Sequence, residues 1–482
     1  MLFDLIRNLT ERIAIREQEF DELLASKNID RIKDKMYTHG DDALAALKEY
    51  DTFSHEIMQR PDKLITDKSG AIVRREKTWK LPIPYPVYIN EISVVFLYGR
   101  PVKWLQLSQG TDEAFARFLD VIKSTRFDAK IRQCKRIAGA ETEAALLFRV
   151  FKNTDGTPDV QLRVLAKSKG DEIYTRFDQY ENLISVAWGY YVKEEQDRTV
   201  YHFDIFTPEI IYRCARRNIG WDVETEVNLI GKIPIIYFRQ EKEWHGVEHL
   251  IHREEYIASK TADTNDYYSD PMLLVSAGIV KNMPEKGEAA KTLITNDEDG
   301  VDNAAKFLTW DNAPQSKLQE IEWLQEQILT KTFTPNITLD TLKSVSQLSA
   351  KALRTVMMLA DIKASRHKEI HDELLDRTAS LIVSIIGNVL DVSLAKQCNE
   401  LKVAHEWSEP FGEDVAEDLS NIVKAVEAGI MSTEGGIEMN PLVRNVMLEK
   451  DRIAEEQSAN AEQNLNIFQE PAEDKGAQSA FD

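Results

Sequence analysis

The chain has 482 residues, of which 43% are hydrophobic and 9% aromatic. This is enough apolar material for several cores and excludes a chain disordered throughout, and the length predicts about two to four domains. The formal charge of −21 excludes a dedicated cationic nucleic-acid binder and a protein that coats anionic lipid. The three cysteines, Cys134, Cys214 and Cys398, are too few and too scattered for a disulfide framework or a CxxC zinc site, which fits a reducing compartment.

Targeting and membrane signals are absent from the sequence pattern. The longest nearly uninterrupted apolar run, around Leu381 to Leu390, is shorter than the roughly 18 to 20 residues that a membrane span needs. Residues 1–24 lack the basic start and the cleavage site of a secretion signal. We therefore expect no membrane contact and a protein that stays in the compartment where it is made.

The first half of the chain predicts helices followed by antiparallel strands. Residues 1–60 carry leucines at helical spacing and predict helices. Residues 80–105 have a β-type pattern interrupted by prolines and predict strands. Residues 111–138 predict a helix. Strands then dominate to about residue 240. The runs ALLFRVFKNTDGTPDVQLRVL and VAWGYYVKEEQDRTVYHFDIFT each predict a hairpin around a polar turn. Meandering strands with interspersed helices predict an α+β fold class.

The second half predicts two helices around an insert, and then one long helix. Apolar residues at helical spacing predict helices at residues 247–268 and 318–332. The insert between them, 271–314, begins and ends at a proline. A Thr- and Ser-rich loop leads into the longest helix signal. In that signal Leu353, Val356, Met357, Ala360, Ala364, Ile370, Leu374, Leu381 and Ile385 form a stripe. We expect a helix that approaches about 40 residues.

The negative charge is concentrated near the C-terminus. Residues 403–482 hold 18 acidic and 5 basic side chains and so carry −13 of the total −21. From about residue 468 the text is polar and rich in Glu, Ser, Gln and Pro. We expect this last segment to be disordered.

Histidine and acidic patterns offer only weak metal signals. His245, His249 and His252 lie within eight residues, but Glu248 is not placed as the general base of an HExxH site, so we favour a solvated helix start. His367 and His371 are interpreted as surface charge. The acidic turn NDEDG has Thr295 and Lys306 where a calcium loop needs acidic ligands.

Enzyme motifs for nucleotide binding and acyl transfer do not occur. The sequence has no GxxxxGK phosphate loop, no GxGxxG and no GxSxG elbow. The 81 acidic residues leave one alternative open, a metal-dependent hydrolase that uses clustered carboxylates.

One basic segment interrupts the acidic chain. Lys331, Lys343 and Lys351 flank or lie in the Thr- and Ser-rich loop. The loop could touch DNA, or it could be a solvated connection between helices. The residues alone favour the solvated connection.

Taken in order, several segments resemble the portal proteins of tailed bacteriophages. The segment at 90–104 is similar to a helix that ends at a Gly-x-Pro turn, which replaces the strand prediction there by a helix. Gly99 and Pro101 mark its end. The segments are LKEYDTFSHEIMQR, NEISVVFLYGRPVKW, RQCKRIAGAETEAALLFRVFKNTDGTPDVQLRVL, GKIPIIYFRQEKEWHGVEHLIHREEYIASKTADTNDYYSDP, LSAKALRTVMML and EAGIMSTEGGIEMNPLVRNVMLEKDRIAEEQ.

This resemblance implies a structural protein of the virion rather than an enzyme, with no cofactor and no metal. It implies a homo-oligomeric ring, normally a dodecamer, at the unique capsid vertex, assembled in the host cytoplasm. Double-stranded DNA would pass through the ring without being read, during packaging and during genome ejection. The implied partners are the terminase large subunit, the major capsid and scaffolding proteins, and the head-completion or tail adaptor protein of the head-tail connector.

The resemblance also implies an organisation into a helical stem and crown, an α/β wing and a small α/β clip. The implied ranges are an N-terminal helical segment 1–60, wing 61–246, stem helices 247–269 and 315–333, clip 270–314, tunnel loop 334–348, long helix 349–394, crown 395–467 and acidic tail 468–482. Because the resemblance implies a DNA channel, a DNA contact by Lys331, Lys343 and Lys351 becomes the favoured interpretation. The clip residues expected to face the motor or adaptor are Lys281, Lys286, Asp297 and Asp299.

Overall fold

The computed structural model describes residues 17–67, 69–193, 198–217, 220–269, 272–275, 305–308, 314–337, 350–408, 415–440, 442–443, 446, 449–456 and 458. The chain divides into two compact units. The large unit runs to residue 410 without 348–354, and the small unit combines 348–354 with 411–482.

Helices and strands are both abundant, which confirms the predicted α+β class. The helices are α1 (Glu17–Ala25), α2 (Ile29–Lys35), α3 (Gly40–Tyr50), α4 (Tyr85–Tyr98), α5 (Asp112–Ser124), α6 (Phe127–Glu141), α7 (Glu248–Ser269), α8 (Pro314–Lys331), α9 (Ala350–Ile385), α10 (Ala395–Glu400), α11 (Val415–Glu427) and α12 (Thr433–Met439). The strands are β1 (Lys63–Thr66), β2 (Ile72–Glu76), β3 (Lys103–Gln106), β4 (Glu143–Lys152), β5 (Pro158–Leu165), β6 (Glu172–Phe177), β7 (Leu183–Lys193), β8 (Thr199–Phe206), β9 (Ile210–Arg217), β10 (Gly220–Val227), β11 (Ile235–Arg239), β12 (Met272–Val275), β13 (Ala305–Leu308) and β14 (Val403–Glu406).

The strands between 143 and 239 form two antiparallel sheets. Five strands follow the order β10-β9-β8-β7-β6, and three follow β11-β4-β5. Both predicted hairpins are confirmed, as the pairs β4/β5 and β7/β8. In the first, Gly156 has φ +83°, and the Asp155 carboxylate accepts a hydrogen bond from the Thr157 amide at 2.9 Å. A polar turn with one left-handed glycine is thus what sets this register.

The strand prediction for 80–105 is wrong over most of its length. Residues 85–98 form helix α4, as the family resemblance implied, although it begins five residues before Asn90. Pro86 lies in the first helical turn, where its missing amide donor costs nothing. This helix is buried on nearly all sides. Its sequence therefore lacks an amphipathic pattern and predicts a strand. Only β3, at 103–106, retains strand structure in this region.

The helix predicted for 111–138 is confirmed as two helices. The chain breaks between α5 and α6 at Arg126, which has φ +54°. Both helices pack into the largest apolar core among the described residues, together with β4, β5 and the C-terminal half of α9, which contributes Leu375, Ile382 and Ile385. The prediction of one long helix is confirmed, since α9 spans 36 residues before a π turn at Ile386–Leu390. Ile370 departs from the predicted stripe, because 44% of its surface is exposed.

The two helices predicted around an insert are confirmed. Helix α7 covers 248–269, within one residue of the prediction, and α8 begins earlier than predicted, with Pro314 in its first turn. Of the insert, the described part is the antiparallel pair β12/β13. The sequence also offers residues 285–294 as a short helix candidate, and they lie outside the described residues.

The described part of the small unit contains a close pair of short helices. Ser432 caps α12 by accepting a hydrogen bond from the Gly435 amide at 3.0 Å. A Cβ atom at Gly436 would lie 2.9 Å from the Val426 side chain of α11, so a glycine is needed for the two helices to approach. Strand β14, by contrast, pairs with β3 inside the large unit.

Within the described ranges, no single helix has both the length and the apolar character to cross a membrane. One bent pair of helices, Met357–Leu390 with Val392–Glu400, meets the length and composition of a membrane span, but by those two criteria only.

Candidate functional site

Helices α7 and α8 pack against each other through a mixed polar and apolar contact. The Arg253 guanidinium donates two hydrogen bonds to the Glu320 carboxylate, at 3.0 and 2.8 Å. Gln325 donates to the buried Glu254 at 3.1 Å. Ile328 packs with the start of α7 in an apolar cluster around Trp244, which is fully buried. The pair is therefore held along its length and is anchored at one end.

A second face of α7 binds the extended segment that precedes α4. The Ser259 hydroxyl accepts a hydrogen bond from the Leu81 amide at 3.0 Å. Asp263 accepts from the Trp79 amide at 2.7 Å and forms an ion pair with Arg60 at 2.6 Å, and Asp266 accepts from the Trp79 indole at 2.5 Å. The acidic end of this helix thus fastens the chain at 79–81 to α7.

A buried histidine joins α7 to the turns that follow α3. The Nδ1 atom of His55 lies 2.6 Å from the Glu255 carboxylate, and its Nε2 atom lies 2.8 Å from the Glu49 carbonyl oxygen. Acceptors at both ring nitrogens suit the doubly protonated imidazolium. Burial alone would lower the pKa of His55, but the hydrogen bond and charge of Glu255 outweigh it and the pKa is raised. Glu255 also accepts a hydrogen bond from the Ile83 amide at 2.8 Å.

A buried charge cluster lies where α6, α9 and the loop before α7 meet. The Glu243 carboxylate is 1% exposed and is hydrogen-bonded to Lys135. Lys363 of α9 approaches it to 2.7 Å, and His367 to 3.2 Å. Burial alone would raise the pKa of Glu243, but the two lysines and His367 hold it well below its usual range. Helix α9 is therefore held to α6 and to the loop before α7 by charge as well as by apolar packing.

Interpreting His367 and His371 as surface charge was wrong. His371 is 2% exposed and its Nδ1 atom lies 2.9 Å from the Tyr98 hydroxyl, while the His367 side chain is 15% exposed and contacts Glu243. Burial lowers the pKa of both histidines. Both continue the i, i+3, i+4 stripe that contains Ala360 and Ala364, so the apolar periodicity of the helix could have predicted their burial.

The other histidine pattern behaves as expected of a solvated helix start. His245 and His249 are exposed, and His252 is half-buried. His245 lies 3.6 Å from Glu248, and His252 lies 3.5 Å from Glu56. In the part of the chain that the structure describes, no group of three or more His, Cys, Asp or Glu residues could hold a metal ion.

Of the three lysines proposed for a DNA channel, two lie at helix ends in the described structure. Lys331 is the last residue of α8, and its side chain is exposed. Lys351 is the second residue of α9. Lys343 lies outside the described residues, as do the four predicted clip residues Lys281, Lys286, Asp297 and Asp299.

Sequence reasoning missed the buried ionic contacts of Glu243 and His55. Glu243 and Lys135 are separated by 108 positions, and His55 and Glu255 by 200. No local spacing links residues so far apart. The one available signal was the presence of His367 on the apolar stripe of α9, which requires a buried partner for its polar ring.

Comparison with known proteins identifies a family. The family described as "Phage portal protein, SPP1 Gp6-like" matches residues 29–463, which is most of the chain. No curated protein matches the sequence.

Two solved structures resemble the fold at a low level. One is titled "Neck of native GTA particle computed with C12 symmetry" and shares 8% identity, with coverage of 75% of this chain and 91% of that chain and a TM-score of 0.41. The other is titled "Neck of empty GTA particle computed with C6 symmetry" and shares 7% identity at the same coverage, with a TM-score of 0.43. At these scores the likeness carries no weight for assembly or function.

The family match covers both sheets, the helix pair, the long helix and the described helices of the small unit. Family members are structural proteins of the phage particle. The chain belongs to the SPP1 Gp6-like family of phage portal proteins.

Proposed function

We propose that this protein forms the ring-shaped channel, a homododecamer, at the unique capsid vertex through which double-stranded DNA is packaged and ejected. The single observation that carries the proposal is the family match over residues 29–463. In this assignment α7 and α8 are the stem helices, the insert between them is the clip, the sheets form the wing and the small unit contributes to the crown. The clip docks the terminase motor and later the adaptor.

The charge of the chain suits a conduit. At −21 per subunit, most of the surface of such a ring repels the phosphate backbone, which prevents tight counterion-release binding and lets the duplex slide. A few lysines near the constriction would position DNA through phosphate contacts without reading its sequence. Lys331, Lys343 and Lys351 are the proposed contacts. The exposed side chain of Lys331 at the end of α8 supports this assignment.

Neutralising the three lysines is expected to impair packaging or DNA retention while rings still assemble. The triple variant Lys331→Gln, Lys343→Gln, Lys351→Gln removes three positive charges per subunit, and these would repeat around the ring. Packaged DNA per capsid, measured by nuclease protection, is the readout, with ring integrity checked by electron microscopy. The matched control is a triple change of exposed lysines elsewhere, Lys103→Gln, Lys152→Gln and Lys402→Gln.

Equal nuclease-protected DNA in the triple variant, the control and the unmodified protein would rule out the proposed lysine contacts. A loss of packaging in the control as well would assign the effect to overall charge and not to the channel.

A metal-dependent hydrolase, the alternative left open by the sequence, gains no support. The family is one of structural, non-enzymatic proteins. The described residues also bring no set of carboxylates or histidines together as metal ligands.

A further inference from the structure

The hairpin β1/β2 has no buried residue in either strand. Its two strands pair only with each other in the described structure, and three of its aliphatic side chains are 48%, 60% and 67% exposed: Leu64, Ile72 and Val73. An isolated two-stranded hairpin is at best marginally stable in water. A partner that covers it would account for both features.

One face of the hairpin is apolar with a basic end. Leu64 lies opposite Arg75, and Thr66 lies opposite Ile72, so these four side chains share a face. Arg75 has no ion-pair partner among the described residues. Between Arg60 and Lys80 the sequence holds seven basic and three acidic residues, in a chain whose net charge is −21. The hairpin is therefore a basic, apolar arm on an acidic protein.

The base of this arm is fixed. Arg60 and Trp79, on either side of the hairpin, both bind Asp263 of α7, at 2.6 and 2.7 Å. The Trp79 indole adds a hydrogen bond to Asp266. The arm thus projects from α7 in a defined position, which lowers the entropy lost when it binds a partner.

Helix α8 exposes a face of the complementary character. Leu318, Glu322, Trp323 and Glu326 fall within about 140° of the helix circumference at 100° per residue. Leu318 is 58% exposed and Trp323 is 54% exposed. Neither Glu322 nor Glu326 has an ion-pair partner in the described part of the chain, and no lysine or arginine of α8 falls on this face.

The two surfaces lie on different sides of α7. Residues 79–83 bind it through Glu255, Ser259 and Asp263, whereas α8 binds it through Arg253 and Glu254. Both surfaces remain exposed in a single chain. Contacts between two different patches of identical chains are heterologous, and they generate closed rings when the rotation closes.

We propose that the β1/β2 hairpin of one subunit docks on the exposed face of α8 of the neighbouring subunit. Leu64 and Ile72 cover Leu318 and Trp323, and Arg75 pairs with Glu322 or Glu326. A second copy suits the arm better than DNA does, because aliphatic side chains need an apolar partner that a phosphate backbone does not offer. This inference rests on the ring assembly proposed above.

Disulfide trapping tests the contact directly. The double variant Ile72→Cys, Trp323→Cys keeps the three native cysteines, which are all buried. Under mild oxidation we expect a ladder of covalent multimers on non-reducing gels. An equimolar mixture of the two single variants should stop at dimers, since each chain carries one new thiol. The matched control pairs Ile72→Cys with Leu107→Cys, which is 65% exposed and lies outside both surfaces.

Several outcomes distinguish a failure of the proposed hairpin contact from a failure of ring assembly. Rings on microscopy grids with no ladder, or a disulfide within one chain, would overturn the hairpin contact and leave the ring standing. Failure of the unmodified chain to form rings would overturn both. A repeat with Leu318→Cys in place of Trp323→Cys guards against a local effect of losing the indole.

Charge exchange gives a second readout of the same contact. Arg75→Glu should raise the protein concentration needed for ring assembly by at least about tenfold, and adding Glu322→Lys with Glu326→Lys should restore it. Loss of assembly without restoration would argue against this pairing. Unchanged assembly with reduced DNA retention would assign the hairpin to DNA and overturn the proposal.

Discussion

Replacing Glu243 with glutamine is expected to lower the free energy of unfolding of the large unit by about 3 to 5 kcal/mol at pH 7. The change removes the only carboxylate that faces Lys135, Lys363 and His367 within the described contacts. Lys135 is fully buried, so its charge would keep only the neutral Gln240 side chain as a hydrogen-bond partner in a medium of low dielectric. Urea unfolding monitored by tryptophan fluorescence measures the loss.

Two comparisons make this test specific. Glu241→Gln, two positions away and exposed, removes the same charge and should change the unfolding free energy by less than about 0.5 kcal/mol. Because the pKa of Glu243 is lowered in the folded state, its contribution is present above the unfolded pKa of about 4.3 and is lost as the pH falls through the folded value. Equal stability of the two variants at pH 7 would contradict the role assigned to the cluster.

Replacing His55 with glutamine should cost about 3 kcal/mol and should also remove a pH dependence. The variant leaves the Glu255 carboxylate, which is 2% exposed, without its charged partner. In the unmodified protein the pKa of His55 is raised above the unfolded value of about 6.5. The stability from this pair is therefore complete below about pH 6.5 and is lost as the pH rises through the folded pKa.

Unfolding midpoints between about pH 5 and pH 9 test this sign. The unmodified protein should lose stability relative to His55→Gln toward the alkaline end, so that the two curves converge. His249→Gln, at an exposed histidine, is the control and should run parallel to the unmodified protein. Parallel curves for His55→Gln as well would show that His55 does not titrate in this window.

Elements defined by local patterns were predictable from the sequence. The hairpin β4/β5 follows from alternating apolar residues around an Asn-, Asp- and Gly-containing turn, and α7 follows from apolar residues at helical spacing. Helix α4 was not predictable from its own residues, because a helix buried on most sides carries no amphipathic signal and its Val, Ile and Tyr content favours strands. A helix was predicted there only because Gly99 and Pro101 resemble the Gly-x-Pro motif of the family.

The contacts that hold the helices in place could not be predicted. His55 and Glu255, or Lys135 and Glu243, meet only after the chain has folded, and each residue taken alone is an ordinary charged or polar position. The exposed face of α8 could not be predicted either, because Leu318 is the first of the apolar residues at helical spacing from which that helix was predicted to pack. The structure instead leaves Leu318 58% exposed, which is one of the observations behind the proposed contact with a neighbouring subunit.

Native mass spectrometry of the purified full-length chain, with negative-stain images of the same sample, tests the central claim most directly. We predict a closed ring of about twelve copies of the 55.2 kDa chain with a central channel. A persistent monomer or dimer, under conditions in which the chain is folded, would contradict the proposed channel.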